Sequence, residues 1–356
     1  MNRVALVLPS NKWFAPYLNI YTDYFISNKI DFDVIFWDKD GSELDNKHSF
    51  KIKMNNRESY IKKMIYYYKF KCFVNKKIKH GGYSKIVIFG SLMSVLLNKT
   101  LVGKYKKKFV VDIRDLSVEQ RPFIYKIFKK VIANSFVNIV SSPGFIPYLP
   151  KGKYILSHNF IFSRLSREDN LINHKEKEND DAINILTIGG IRDYKSNLEV
   201  INALKNNKKY KLYFVGKGIA ATDLEKYVKD NNINNVTFKG YYEKENEHIY
   251  INNSSMLNIY YPVSRVHNTA ISNRFYNSIY YNKPMIVTSN SVQGDFVEKY
   301  NLGVSVHNCN ELDKKIDLFF KELNQNDYKN NCKKLLDQFA KDNTCFYEEL
   351  KDFLKE

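Results

Sequence analysis

The sequence predicts an α/β protein built from two Rossmann-like domains, each a doubly wound parallel sheet. Strand-length apolar runs alternate with helix-length segments, the pattern of a parallel sheet with helical crossovers. The alternation stops at a polar stretch without apolar period, Arg167–Asp181 (REDNLINHKEKENDD), and then restarts. A chain of 356 residues also exceeds one comfortable α/β unit. The expected organisation is an N-terminal domain over 1–166, a linker over 167–181 and a C-terminal domain over 182–337. A last helix over about 338–356 is expected to return to the first domain.

Taken in order, Arg3–Leu8 reads as a buried strand stopped by Pro9-Ser10, followed by a helix over Pro16–Asn28 and a strand over Phe32–Trp37. Asp38-Lys39-Asp40-Gly41 closes that strand as a turn. A long helix over Glu58–Lys79 interleaves aromatics with lysines and holds no acid after Glu58. Strands follow at Lys85–Phe89, Lys108–Ile113 and Val137–Val140. The second half opens with a strand over Ile183–Ile188, a tight turn at Gly189-Gly190 and a helix over Asn197–Asn206. Strand Lys211–Val215 leads to a second glycine turn at Gly216–Gly218. Helix Ala221–Asn231, strand Val236–Lys239, helix Glu245–Asn252, strand Met256–Tyr260, helix Asn273–Tyr281 and strand Pro284–Thr288 complete the set. Glu311–Glu356 reads as a run of amphipathic helices.

The net charge of +18 is unevenly placed. Residues 1–167 hold 30 lysines and arginines against 11 acids, and residues 168–356 hold 26 against 27. The first half therefore carries the whole excess, which suits a polyanionic surface; lysines spread over solvated faces are the plainer account. The aromatic and lysine helix fits three roles: a membrane-surface helix, a core-packed helix with solvated lysines, or a single-stranded nucleic-acid platform. No recognition module accompanies the third, so the expected partner is an anionic membrane and not nucleic acid.

Cys72, Cys309, Cys332 and Cys345 show neither CxxC pairing nor metal-ligand spacing, and read as reduced thiols. The start, MNRVALVLPSNKW, lacks the apolar stretch of a signal peptide, and the run Ile86–Leu97 is too short and too broken to span a bilayer. A cytoplasmic protein, peripheral on the inner membrane face, is expected. The seven histidines have no HExxH or similar spacing, and no metal or cofactor is expected. The absence of a GxxxxGKS loop argues against a kinase or ATPase, and no GxSxG elbow surrounds a serine.

Several constellations are candidates for chemistry. In ILTIGGIRDYKSNLEVINAL (185–204) a strand ends at Gly189-Gly190, and Arg192 and Lys195 precede a helix. Ligands of doubly wound sheets lie beyond the carboxyl ends of the strands, and a helix N-terminus favours phosphate. Two cations there would hold a diphosphate and stabilise its growing charge; an ordinary βα turn with two surface cations has the same pattern. Asn273 and Arg274, at the start of the late helix, fit a further phosphate contact or a cap with a surface arginine. In Asp112-Ile113-Arg114-Asp115, Asp115 is a candidate to orient or deprotonate a hydroxyl, and a structural Arg–Asp pair closing a loop is the alternative. Ser142 and Gly144 lie in a loop able to bring backbone N–H groups to a phosphate, or in a simple turn. His158 reads as a structural histidine, and His267 as a weaker sugar-facing candidate.

These segments resemble a known family. Residues 183–306 resemble the donor half of the large, mostly retaining class of GT-B glycosyltransferases, in which Gly190, Arg192 and Lys195 match the positions that grip the donor diphosphate. SNRFYNSIYYNKPMIVTSNS (272–291) resembles the acidic motif of that class. PYLNIY (16–21), DVIFWDKD (33–40), VVDIRDLSVEQ (110–120), SSPGFIPYLP (141–150) and His158-Asn159 resemble transferases of bacterial capsule and surface-polysaccharide assembly. The resemblance implies GT-B architecture with two domains facing a central cleft. A nucleotide sugar would bind the second half through Gly189, Gly190, Gly216, Arg192 and Lys195, and a glycan acceptor, expected to be lipid-linked, would bind the first. It also implies retention and metal independence. One departure stands out: the glutamate that in this class bonds the nucleotide ribose is replaced by Asn277, and the acid often found eight residues earlier by Thr269. A catalytically silent binding protein and a nucleotide-sugar epimerase of the same fold are the competing readings.

Overall fold

In the computed structural model, described here for residues 3–44, 47–55, 58–117, 121–160 and 182–355, every strand pairing is parallel. The chain divides into one unit of Met1–Ile161 with Lys341–Glu356 and a second of Phe162–Ala340. The expected linker, 167–181, lies outside the described residues.

The first unit runs β1 (Val4–Leu8), α1 (Leu18–Ser27), β2 (Phe32–Asp38), β3 (Ser49–Lys51), α2 (Tyr60–His80), β4 (Lys85–Phe89), α3 (Ser91–Leu96), α4 (Asn98–Val102), β5 (Phe109–Ile113), α5 (Pro122–Asn134), β6 (Val137–Val140) and β7 (Tyr154–Leu156). Its sheet order is β3-β2-β1-β4-β5-β6-β7. β1, β4 and β5 are buried along their whole lengths, as a sheet covered on both faces requires. Leu18, Tyr21 and Phe25 of α1 share one core with Phe346, Leu350, Phe353 and Leu354 from the chain's end. Lys85, buried in β4, donates from Nζ to the Phe353 carbonyl.

The long helix α2 starts at Tyr60, two residues later than the sequence suggests, because the Ser59 hydroxyl caps it by accepting from the Lys62 N–H. Phe70, Val74 and Ile78 are buried at helical spacing, and Tyr67 and Phe70 pack on Trp37 with ring centroids 5.0 and 5.5 Å away. This stripe belongs to the core. The first half of the same helix leaves Tyr60, Ile61, Ile65 and Tyr68 exposed, Ile61 by 74%. Phe123, at the start of α5, is 81% exposed, and Arg121 just before it donates to the Tyr60 hydroxyl at 2.6 Å. Among the described residues no helix is long and apolar enough to cross a membrane.

The second unit runs β8 (Ile183–Ile188), α6 (Tyr194–Leu204), β9 (Tyr210–Val215), α7 (Ala221–Asp230), β10 (Val236–Gly240), α8 (Glu247–Asn252), β11 (Met256–Ile259), α9 (Arg265–Thr269), α10 (Asn273–Tyr280), β12 (Met285–Thr288), α11 (Val292–Tyr300), β13 (Gly303–Val306) and α12 (Leu312–Glu322), and enters α13 (Gln325–Lys355). Its sheet order, β10-β9-β8-β11-β12-β13, reverses direction between β8 and β11. That reversal opens a crevice beyond the carboxyl ends of those two strands, where such sheets take ligands. α6 begins three residues earlier than the sequence suggests because Asp193 caps it. The tail holds two helices, the second an unbroken 31 residues.

Candidate functional site

The crevice of the second sheet begins with the turn after β8. Gly189 has φ +92°, a conformation that glycine adopts without strain. Gly216, at the end of β9, packs beneath it: a β-carbon on Gly216 would stand 2.0 Å from the Gly189 carbonyl oxygen. Gly216 thus supports the turn from behind. The cap of α6 is anchored by a buried polar chain. Asp193 accepts from the N–H and hydroxyl of Ser196 at 2.8 and 2.6 Å, and Asn197 donates to the Asp193 carbonyl. Asn258 of β11 donates to Thr187 at 2.9 Å and, more weakly, to Asn197 at 3.4 Å.

Above this rigid frame stand the two expected cations. Arg192 and Lys195 are both exposed, and among the described residues neither side chain has a hydrogen-bond or ion-pair partner. Arg192 lies back over Gly190, its Nε 3.1 Å from where a β-carbon on that glycine would stand. The structure therefore brings Gly189, Gly190, Arg192 and Lys195 together at one helix N-terminus with its positive dipole end.

The late helix α10 supplies the other wall. Ser272 caps it, its own N–H and hydroxyl both donating to Gln293. Asn273 is exposed at the first position. Arg274 reaches the glycine turn but is occupied there. Its Nε donates to the Ile188 carbonyl at 2.5 Å and its Nη2 to the Gly190 carbonyl at 2.9 Å, with Nη1 at 3.5 Å from the Asn258 carbonyl. The guanidinium thus pins the ends of β8 and β11 together across the reversal point.

Asn277, one turn further on, donates from Nδ2 to Glu247 at 3.2 Å. Glu247 opens α8, and its side chain is 15% exposed. It also accepts from the Tyr242 hydroxyl at 2.9 Å and pairs with Lys244. The Tyr242 hydroxyl lies 3.9 Å from where a Gly189 β-carbon would stand, closing a ring around the turn. Burial first, and the Glu247 charge second, hold the Tyr242 phenol well above its ordinary value. The sequence reading missed Tyr242 and Glu247. The signal was present, since GYYEKENE follows a strand and opens a helix as the glycine turn does.

In the first unit Arg114 forms a structural pair with Asp112, at 2.6 Å and buried. Asp112, the penultimate residue of β5, is fully buried and also accepts from the Tyr21 hydroxyl at 2.6 Å. Burial opposes the Arg114 charge, but Asp112 outweighs it and raises the guanidinium further. Arg114 also donates to the Ser157 carbonyl and to Asn159, at 2.8 and 2.9 Å. Asp115, the candidate base, is exposed just beyond the carboxyl end of β5. Ser142 is fully buried and accepts from the Gly144 N–H at 3.2 Å, capping a short helical turn over Pro143–Tyr148. His158 is buried against Asp342, with Nε2 3.0 Å from the carboxylate, while its N–H donates to Asn343. Burial, only partly offset by Asp342, lowers its pKa. His267 stacks on Tyr261 and contacts Ser264. Among the described residues no group of three or more His, Cys, Asp or Glu could hold a metal ion. The four cysteines are free.

Residues 168–335 match the family described as glycosyl transferases group 1. No curated protein matches the chain in sequence. Among solved structures, sucrose-phosphate synthase from Thermosynechococcus elongatus is similar with a TM-score of 0.68 at 13% identity, covering 99% of this chain and 100% of that one. Anabaena HepE in complex with UDP superposes with a TM-score of 0.62 at 12% identity, covering 99% and 100%. A glycosyltransferase from Rickettsia africae ESF-5 does so with 0.65 at 13%, covering 99% and 98%. The fold is that of the GT-B glycosyltransferases, and the match to the group 1 family falls within residues of the second unit.

Proposed function

We propose that this GT-B chain transfers a sugar from a nucleotide-sugar donor to a hydroxyl of a glycan acceptor. The observation that carries it is the pair of exposed cations, Arg192 and Lys195, without a partner among the described residues, at the glycine turn within the group 1 match. As the bond between the anomeric carbon and the diphosphate oxygen breaks, the electron pair stays on the diphosphate. Arg192, Lys195 and the N-terminus of α6 stabilise that charge. The acceptor hydroxyl forms the new bond to the anomeric carbon and gives up its proton, for which Asp115 is the candidate acceptor on the first unit. HepE is solved with UDP and with UDP-glucose, which supports a nucleotide-sugar donor here.

The same reading includes retention at the anomeric carbon and charge neutralisation by the chain's own cations without a metal. It also includes a lipid-linked acceptor in bacterial surface-polysaccharide assembly, with the protein peripheral on the inner membrane face. The exposed Tyr60, Ile61, Ile65, Tyr68 and Phe123, next to a lysine-rich helix, support the membrane component.

The test is thermal unfolding against UDP, GDP, ADP, TDP and CMP. A nucleotide at 100 times its dissociation constant stabilises the native state by about 2.7 kcal/mol. A shift with one nucleotide supports the donor site and names its base. No shift with any of them, in folded protein, favours a silent binding protein instead. Conversion of the nucleotide sugar without an acceptor would favour an epimerase.

A further inference from the structure

We propose that a cationic pocket at the amino ends of β1 to β4, in the first unit, is a binding site for a phosphate-bearing molecule. It shares no residue with the crevice of the second unit and does not rest on the nucleotide-sugar reading.

Sheet topology places the pocket. Arg3 immediately precedes β1, His48 immediately precedes β3, Asp33 is the second residue of β2, and Tyr83 lies two residues before β4. These strands run parallel, so their amino ends lie at one end of the sheet. The last turns of α2 come to the same end, because the helix carries the chain back to the start of β4. Between them lies a cavity of about 460 Å³, the size of a small-molecule site. Doubly wound sheets ordinarily take ligands at the opposite, carboxyl end, so this opening is a separate feature of the unit.

The strand side of the cavity is fixed and internally neutralised. Arg3 donates from Nη2 to Asp33 at 2.7 Å and from Nη1 to the Gly81 carbonyl at 3.2 Å, with Nε 3.3 Å from Asp31. Asp33 also accepts from the Tyr83 hydroxyl at 2.6 Å and lies 3.6 Å from His48 Nε2. It is the one acid among the described residues of the lining. The helix side carries Phe73, Lys76, Lys77 and His80, at the three- and four-residue spacing of a single helical face. Lys47 adds a third ammonium from the segment before β3. Cations in the last turn of a helix ordinarily offset its dipole. At this end, however, the Lys77 carbonyl accepts from the Gly81 N–H at 2.8 Å and the Gly81 carbonyl accepts from Arg3. Among the described residues neither Lys76 nor Lys77 is paired with an acid, and Lys77 rests over the Phe73 ring at 5.4 Å.

Charge and volume give the ligand class. Three ammonium groups lining one space, opposite a carboxylate already held by Arg3, suit a group of two or more negative charges. A phosphomonoester carries about −1.5 to −2 at pH 7, and lysines bind phosphate as point charges. The cavity is larger than one phosphate, and the Phe73 and Tyr83 rings in its lining favour an organic phosphate over the bare ion. A lipid headgroup and a soluble ester share that chemistry.

The experiment titrates inorganic pyrophosphate into the full chain carrying Arg192→Ala and Lys195→Ala, which removes the cations of the second unit's crevice. At 0.15 M salt, charges more than about 8 Å away are largely screened, so the binding that remains is local. Pyrophosphate is expected to bind, and adding Lys76→Gln with Lys77→Gln should weaken it by about tenfold or more. Lys69→Gln with Lys79→Gln removes the same charge from the same helix outside the cavity lining, and should change affinity by about twofold or less. All these lysines are exposed or half-buried, so every variant should melt as its parent does. Displacement of the bound pyrophosphate by phosphatidic acid vesicles supports the site with a lipid headgroup as occupant. Displacement by glycerol 3-phosphate, with vesicles inert, supports it with a soluble ester. No pyrophosphate binding, or equal weakening by the two lysine pairs, overturns the proposal and leaves the nucleotide-sugar reading standing.

Discussion

Arg274 donates from Nη2 to the carbonyl oxygen of Gly190 at 2.9 Å, and its Nε holds the carbonyl of Ile188. One side chain on α10 thereby fixes the turn that follows β8. Arg274→Lys would replace a fork reaching several carbonyls with one ammonium. Hydrogen bonds from charged donors contribute about 1.5–3 kcal/mol each. The melting temperature should fall by several degrees, and nucleotide binding should weaken with it. A variant that melts like wild type would show that other contacts hold the turn.

Lys195→Ala and Arg192→Ala should separate chemistry from stability. Both side chains are exposed, so each change should alter stability by less than about 0.5 kcal/mol. Loss of one charge-stabilising donor costs about 100-fold or more in turnover. Sugar transfer by purified variants of wild-type melting temperature is the measurement. Normal turnover in either would remove that cation from the mechanism.

His158 should make stability depend on pH. Burial, with a smaller contribution from Arg114, lowers its pKa below 6.5, while Asp342 opposes the shift. At mildly acid pH the unfolded chain binds the proton more readily than the folded one, so acid favours unfolding. The contribution is fully present above pH about 6.5 and is lost as pH falls below it. Urea unfolding at pH 5 and pH 7.5 should show a smaller pH difference in His158→Asn than in wild type. An equal difference in the two proteins would assign the dependence to other groups.

Membrane binding should depend on the open face of α2. Lys69, Lys76 and Lys79 are exposed there. Lysines near an anionic surface contribute about 1 kcal/mol each, so changing all three to Gln should weaken partitioning to anionic vesicles by about 100-fold. Ile61→Ser with Ile65→Ser should weaken it further at high salt, where the charges are screened. Unchanged partitioning in both would return α2 to a purely structural role.

Much of this was legible because strand-length apolar runs and glycine turns are local signals. Gly189, Gly190, Arg192 and Lys195 lie within seven residues, so their meeting at one helix end follows from sequence order. Three other features were not local. Glu247 and Asn277 are 30 residues apart and meet only because β10 and β11 lie on either side of β8 and β9 in the sheet. Asp112 and Asp115 both lie within two residues of Arg114, and strand geometry turns Asp112 inward. On α2, Tyr67 and Tyr68 are chemically identical neighbours, so composition alone does not show which packs on Trp37 and which stays exposed. The three-residue edge strands β3 and β7 are too short to carry a period.

The stacking of Gly216 under Gly189 makes the two turns a single packed unit. A β-carbon at 216 would strike the Gly189 carbonyl oxygen, so neither turn can be redesigned without the other. Among the described residues, Arg192 and Lys195 carry no such bond to the frame. Exchanging either surface cation would therefore leave the packing of the glycines beneath unchanged.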